Sequence, residues 1–141
     1  KAVISKAKVG MSEFDLETMY LNEFKSHGSK DISYTPIVAG GERACILHYI
    51  DNNQPIADGE LVLVDAGCEW GLYASDITRT YPINGKFSAE QRAVYDVGFR
   101  GTQQSMRSHT NWSKLHRPTK SLRTIIIPRV KRSRPVNTKH G

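Results

Sequence analysis

The chain has 141 residues, enough for one domain with a buried core. It contains no run of roughly 20 apolar residues, the length of a membrane-spanning helix, so we expect no membrane partner. Its two cysteines, Cys45 and Cys68, do not make a disulfide framework, so we expect a cytoplasmic protein. The net charge of +6 is unevenly distributed. Residues 1–97 carry nine basic and all fourteen acidic residues, whereas residues 98–141 carry eleven basic residues and no acidic one. The excess positive charge belongs to the tail, which argues against nucleic-acid binding by the protein as a whole.

The chain opens with segments typical of helices. Residues 2–8 are compatible with a short helix, and Gly10 is suited to end it. Ser12 and Asp15 fit a capping box at the start of a second helix. We predict that this helix covers residues 13–26, because apolar and aromatic side chains recur there at helical spacing: Leu16, Met19, Tyr20 and Phe24.

Two strands are predicted next. Residues 32–38 form the first, and Pro36 within it indicates an edge strand or a bulge. Residues 44–49, ACILHY, are predicted to form a second, largely buried strand that ends near His48. A lone histidine on an apolar strand is usually part of the core, and the pattern by itself favours that interpretation of His48.

The chain is organised around residues 61–82, LVLVDAGCEWGLYASDITRTYP. Four apolar residues in succession predict a strand covered on both faces and ending at Asp65. Aromatic and β-branched residues over 73–81 predict a return strand, joined to the first by a loop of several residues. With pairing symmetric about that loop, Asp65 and Asp76 lie opposite one another on one face of the sheet.

Two carboxylates in contact repel one another unless a cation lies between them. Carboxylate oxygens are the ligands that hard divalent cations prefer. A metal site is therefore one interpretation of Asp65 and Asp76, and a solvated hairpin with two unrelated aspartates is the other. Their spacing alone does not separate the two.

The last predicted helix begins with the capping sequence at Ser88. It runs to about Val97, and Val94 and Val97 are expected to mark its buried face. From Gly98 onward the high positive charge and the scarcity of aromatic residues are typical of disorder. We therefore divide the chain into a body over residues 1–97 and a basic tail over residues 98–141 that is expected to be disordered.

Five groups of residues together resemble the Xaa-Pro aminopeptidases (aminopeptidase P) of metallopeptidase family M24, over residues 1–97. They are TPIV with GGE at 35–42, ILHY at 46–49, GELVLVDAGCE at 59–69, YASDITRTYP at 73–82 and NGKF at 84–87. The resemblance implies an α+β chain, the N-terminal half of a pita-bread fold in which two pseudo-symmetric halves enclose two divalent metals. It also implies removal of the first residue from peptides with proline second, by an enzyme that is often homo-oligomeric.

The resemblance assigns roles to three residues. Asp65 corresponds to a ligand of one metal, and Asp76 to the carboxylate that bridges both. His48 resembles the catalytic histidine beside the metals, which contacts the substrate, and this role now outweighs the core interpretation. The metal implied is usually Mn²⁺, with Co²⁺ and Zn²⁺ as alternatives.

The family's other metal ligands, a histidine and two glutamates, come from the second half of the fold, and no glutamate follows Glu90 here. The chain also begins with Lys1 instead of methionine. The resemblance therefore implies that residues 1–97 are a partial peptidase catalytic domain and that the basic tail over residues 98–141 is non-native or disordered. We expect a truncated, frame-shifted or alternatively spliced product that is inactive alone. The alternative is a non-catalytic remnant or binding module, which uses the fold to contact peptides or the basic tail to contact nucleic acid or acidic partners.

Overall fold

The computed structural model describes residues 2–109 and 131–132. Three α-helices lie in this part of the chain: α1 at Ala2–Lys6, α2 at Glu13–Ser26 and α3 at Ala89–His109. A short 3-10 helix covers Gly41–Cys45. Among the described residues no helix has the length and apolar character needed to cross a membrane.

Helix α2 begins and ends where the sequence predicts. The Ser12 hydroxyl accepts a hydrogen bond from the Asp15 amide at 3.1 Å, and the Asp15 carboxylate accepts one from the Ser12 amide at 2.8 Å. These two bonds close the predicted capping box, which satisfies two amides that would otherwise lack partners at the helix start. Leu16 is fully buried and attaches the helix to the core.

The strands form two antiparallel sheets. In one, β2 (Ile37–Gly40), β3 (Leu61–Ala66) and β6 (Ile77–Pro82) lie in the order β2-β3-β6. In the other, β1 (Asp31–Ile32), β4 (Cys68–Trp70), β5 (Tyr73–Ala74) and β7 (Lys131–Arg132) lie in the order β1-β4-β5-β7. The core gathers on one face of the first sheet, and its largest members are Leu16, Val38, Ile56, Val62 and Val64.

The single strand predicted over residues 32–38 is wrong, because the segment divides between the two sheets. Asp31 and Ile32 pair with β4, whereas Ile37 begins the strand that pairs with β3. Pro36 lies between them. The first ladder ends at Ile32, and the second begins directly after Pro36, which has no N–H to contribute to either ladder.

The buried strand predicted over residues 44–49 is also wrong. The chain forms a 3-10 helix up to Cys45 and then a turn, and the side chains of Ile46 and Leu47 are 55% and 84% exposed. The backbone is held here by contacts far along the chain, since Arg43 and Tyr49 both bond the carboxylate of Glu13. These tertiary contacts override the local preference for a strand.

Helix α3 is longer than predicted, and its predicted buried face is exposed. It continues beyond Val97 to His109, and Val94 and Val97 are 75% and 73% exposed, so the predicted buried face is wrong. An aromatic row packs instead, with ring centroids 4.9 Å apart for Phe87 and Tyr95 and 6.2 Å apart for Tyr95 and Phe99. Most of the tail predicted over residues 98–141 lies outside the described residues.

Candidate metal centre

The two aspartates lie on one hairpin, but in a different register from the predicted one. Asp65 pairs with Thr78, so Asp76 is its diagonal neighbour and not its direct partner. The connection is also shorter than predicted, because Trp70 pairs with Tyr73 and only two residues lie between them. Both of these residues have positive φ, 55° at Gly71 and 70° at Leu72, as a type I′ hairpin turn requires.

Both carboxylates still occupy the same face of the hairpin. The side chain of Asp65 lies on the face of its partner Thr78, and Asp76 precedes Thr78 by two residues. Because side chains alternate between faces along a strand, Asp76 shares that face as well. Both residues are half-buried, so their oxygen atoms remain within reach of a small ion.

Both strands of the hairpin are interrupted beside Asp76, at Gly67 on one side and at Ser75 and Asp76 on the other. Gly67 separates β3 from β4, and Ser75 and Asp76 separate β5 from β6 on the other side. A Cβ atom at Gly67 would lie 1.9 Å from the carbonyl oxygen of Ser75, a distance that no side chain tolerates. Glycine is therefore required for the two strands to approach one another beside the carboxylate pair.

The hydroxyl group of Tyr34 joins the two carboxylates. Its oxygen lies 2.5 Å from Oδ1 of Asp65 and 3.1 Å from Oδ1 of Asp76. The segment that carries Tyr34 is tied to the hairpin break by a 3.0 Å hydrogen bond from the Ser33 amide to the carbonyl of Gly67. Burial, together with the hydrogen bonds and the negative charge of both carboxylates, raises the pKa of Tyr34, so its hydroxyl stays protonated and can donate.

Sequence reasoning missed Tyr34. It lies 31 residues from Asp65 along the chain, in the connection between β1 and β2. No local motif marks it, because it gains its partners only when this connection folds across Gly67. The one available signal was its position directly before the Thr35-Pro36 string of the family resemblance.

The arrangement fits part of a metal site. One hydroxyl proton serves one carboxylate at a time, which leaves negative charge that a divalent cation would neutralise. The donors are carboxylate oxygens, which suit such cations. In the part of the chain that the structure describes, however, no three His, Cys, Asp or Glu side chains are grouped so as to hold a metal ion. Asp65 and Asp76 therefore provide some of the ligands that a tight site needs.

His48 lies on an exposed turn after the 3-10 helix and not at the end of a buried strand, as predicted. Its backbone is left-handed, with φ at 55°, a conformation that is uncommon outside glycine. Such a conformation costs about 1–3 kcal/mol and persists only when surrounding contacts impose it. The structure thus brings Asp65 and Asp76 together at the hydroxyl group of Tyr34, whereas the role of His48 beside the metals stays a prediction.

Comparison with known proteins gives one consistent result. The sequence model of metallopeptidase family M24 matches residues 1–124, which extends beyond the residues 1–97 of the resemblance. The Xaa-Pro aminopeptidase of Haemophilus influenzae is 50% identical over 94 residues, which cover 67% of this chain and 22% of that protein. The Xaa-Pro aminopeptidase of Escherichia coli is 45% identical over 119 residues, which cover 84% of this chain and 25% of that protein.

Solved structures agree with the sequence relatives. Proline aminopeptidase P II from Yersinia pestis superposes with a TM-score of 0.72 at 50% identity, over 74% of this chain and 24% of that one. A histidine-to-alanine variant of Escherichia coli aminopeptidase P gives a TM-score of 0.73 at 46% identity, over 82% of this chain and 25% of that one. The described residues therefore have the predicted α+β fold, part of the pita-bread fold of aminopeptidase P. The chain spans about a quarter of the length of the curated relatives it matches.

Proposed function

Because this chain belongs to metallopeptidase family M24, we propose that it forms part of an Xaa-Pro aminopeptidase. The substrate class is peptides with proline in second position, from which the first residue is released. The observation that carries the proposal is the convergence of Asp65 and Asp76 on one hydroxyl group, in a hairpin that lies within the segment matched by Xaa-Pro aminopeptidases.

Asp65 and Asp76 have different roles in the proposed site. Asp65, one residue before the end of the central strand β3, would be a ligand of one metal, and Asp76, in the break between β5 and β6, would be a ligand shared by two. We propose Mn²⁺ as the metal, with Co²⁺ and Zn²⁺ as alternatives, since hard oxygen donors suit the first of these. When bound, such metals lower the pKa of a coordinated water to about 7 and polarise the scissile carbonyl.

His48 is proposed to contact the substrate. Its imidazole is exposed, so a peptide can reach it without rearrangement of the core. A histidine beside a reacting carbonyl can donate a hydrogen bond to the negative charge that develops there. Its neighbours Ile46 and Leu47 are also exposed and would place apolar surface next to the bound peptide.

Two carboxylates are too few ligands for two metal ions, since a catalytic site uses several protein ligands and keeps one position open. We propose that the remaining ligands come from other parts of the peptidase domain. By itself the 141-residue chain is then expected to release no amino acid from an Xaa-Pro peptide, even with added Mn²⁺.

The test is a graft that supplies those ligands. Residues 1–97 replace the matched segment of the Escherichia coli Xaa-Pro aminopeptidase, and release of the first residue is measured on two peptides that differ only in proline or alanine at the second position. We expect release from the proline peptide alone. Asp76→Asn in the graft should abolish release, whereas Asp58→Asn should leave it unchanged. Asp58 is exposed, and within the part of the chain that the structure describes its side chain bonds that of Asn84 alone, at 2.8 Å.

A graft that folds and binds Mn²⁺ but releases nothing from either peptide would contradict the proposal. That outcome would instead support a non-catalytic, peptidase-like protein. Release without any preference for proline would contradict the proposed substrate class and leave the metallopeptidase assignment intact.

A further inference from the structure

The loop that carries His48 has no regular secondary structure of its own after the 3-10 helix. Between Cys45 and Leu61, where β3 begins, the described chain forms turns and irregular segments, apart from a single antiparallel bridge from Pro55 to Ser12. A loop of this length in a compact domain is uncommon and is usually functional. Its geometry is therefore fixed by contacts with other parts of the chain, both by backbone hydrogen bonds, such as that from the Ile56 amide to the Met11 carbonyl at 3.0 Å, and by side chains.

The side chain of Glu13 supplies much of this fixation. Glu13 is the first residue of α2 and is fully buried. Its Oε1 accepts hydrogen bonds from the Gly40 amide at 2.8 Å and from Nε of Arg43 at 2.7 Å. Its Oε2 accepts from the Tyr49 hydroxyl at 2.7 Å and from the Gln54 amide at 3.1 Å.

All four donors belong to residues 40–54, on both sides of His48 along the chain. A carboxylate has about four lone-pair positions, and each is used here. One of the donors, Tyr49, directly follows His48 in the chain. Tyr49 is buried, whereas His48 is exposed. The carboxylate thus holds Tyr49 in the interior, directly after the left-handed backbone of His48.

We propose that Glu13 is a positioning residue that holds His48 in its left-handed conformation and presents the imidazole at the surface. That His48 contacts a substrate rests on the proposed function. That Glu13 fixes the conformation of His48 does not. The effect of a helix-start glutamate then extends to a residue 35 positions away. A carboxylate is needed at this position because every partner is a donor, and an amide would place its own N–H₂ group against two of them.

The test is made by NMR on the 141-residue chain. Positive φ brings the amide and α protons of a residue close together, which gives a strong cross-peak between them. In Glu13→Gln we expect this cross-peak of His48 to fall to the strength seen for residues with negative φ, while the chemical shifts of the hairpin over 61–82 stay in place. Glu23→Gln is the matched control, because Glu23 lies on the same helix and faces His27 instead of the loop.

A folded Glu13→Gln chain with an unchanged His48 cross-peak would overturn the proposal, and so would an equal loss in Glu23→Gln. If Glu13→Gln does not fold, Tyr49→Phe decides, since it removes only one of the four bonds and is expected to weaken the same cross-peak in a folded chain. The readout needs no turnover. An inactive graft with His48 correctly held would therefore count against the proposed function and not against the role of Glu13.

Discussion

The hydroxyl oxygen of Tyr34 lies 2.5 Å from Oδ1 of Asp65. The same oxygen lies 3.1 Å from Oδ1 of Asp76, so a single donor stands between two carboxylates. In that position the hydroxyl proton reduces the repulsion between the carboxylates of Asp65 and Asp76, as a bound divalent cation would also do. The stability of the hairpin and its affinity for metal should therefore depend on one another.

Replacing Tyr34 by phenylalanine should destabilise the metal-free protein. In the presence of a chelator we expect Tyr34→Phe to lower the free energy of unfolding by about 1–3 kcal/mol, because both carboxylates lose their shared donor. Urea unfolding measures the difference. Tyr73→Phe is the control and should have no effect, because Tyr73 lies on the same hairpin but is 57% exposed. Equal stability of Tyr34→Phe and the unaltered chain would contradict this account of the pair.

A methyl group at Gly67 should force the hairpin apart beside the carboxylates. Gly67→Ala places its Cβ 1.9 Å from the Ser75 carbonyl oxygen, and we expect a loss of about 3 kcal/mol or more in unfolding free energy. Gly98→Ala is the control, since nothing lies within 4 Å of a Cβ there. Because Gly98 lies inside helix α3, Gly98→Ala should raise the unfolding free energy by about 0.5–1 kcal/mol. A Gly67→Ala chain as stable as the control would show that the break does not need glycine.

Acid should weaken the protein partly through Glu13. Burial by itself raises the pKa of this carboxyl, but hydrogen bonds from Arg43, Gly40, Tyr49 and Gln54 outweigh it and hold the pKa below its ordinary value of 4.5. As the pH falls, the unfolded chain therefore takes up this proton first. The stabilisation from Glu13 is complete above pH 4.5 and is lost as the pH falls through the lower value of the folded state.

Urea unfolding at about pH 6 and about pH 3 tests this dependence. The fall in unfolding free energy should be smaller in Glu13→Gln than in the unaltered chain. Asp15→Asn should also reduce the fall, because hydrogen bonds from Ser12 lower the pKa of Asp15. An identical fall in Glu13→Gln and the unaltered chain would contradict the assignment. At neutral pH, Glu13→Gln should lower the unfolding free energy by about 1–3 kcal/mol, since the amide N–H₂ group would face donors around a fully buried side chain.

The local parts of the fold could be predicted from the sequence. The capping box at Ser12 and Asp15 depends on residues three apart, and helix α2 follows from it. Strand β3 follows from its apolar run, and the shared face of Asp65 and Asp76 follows from side-chain alternation. The register did not follow, because a Gly71–Leu72 turn places a leucine at positive φ, which the sequence gives no reason to expect.

The long-range parts could not be predicted. The segment from Ala44 to Tyr49 has the composition of a buried strand, yet Glu13, more than 30 residues earlier, fixes it as a turn that exposes Leu47. Tyr34 reaches the carboxylates only through the fold across Gly67. In both cases the deciding partner is distant in sequence, and a pattern within a short window carries no information about it.

The carboxylate pair as a metal-binding unit is tested most directly by adding Mn²⁺ to the isotopically labelled 141-residue chain and mapping the loss of NMR signal along the sequence. A bound paramagnetic ion broadens the signals of nearby nuclei. We predict that broadening centres on residues 65 and 76 and on the adjoining Tyr34, and that it disappears in the Asp65→Asn/Asp76→Asn double variant but persists in Asp58→Asn. Broadening that centres elsewhere, or that survives in the double variant, would contradict the account.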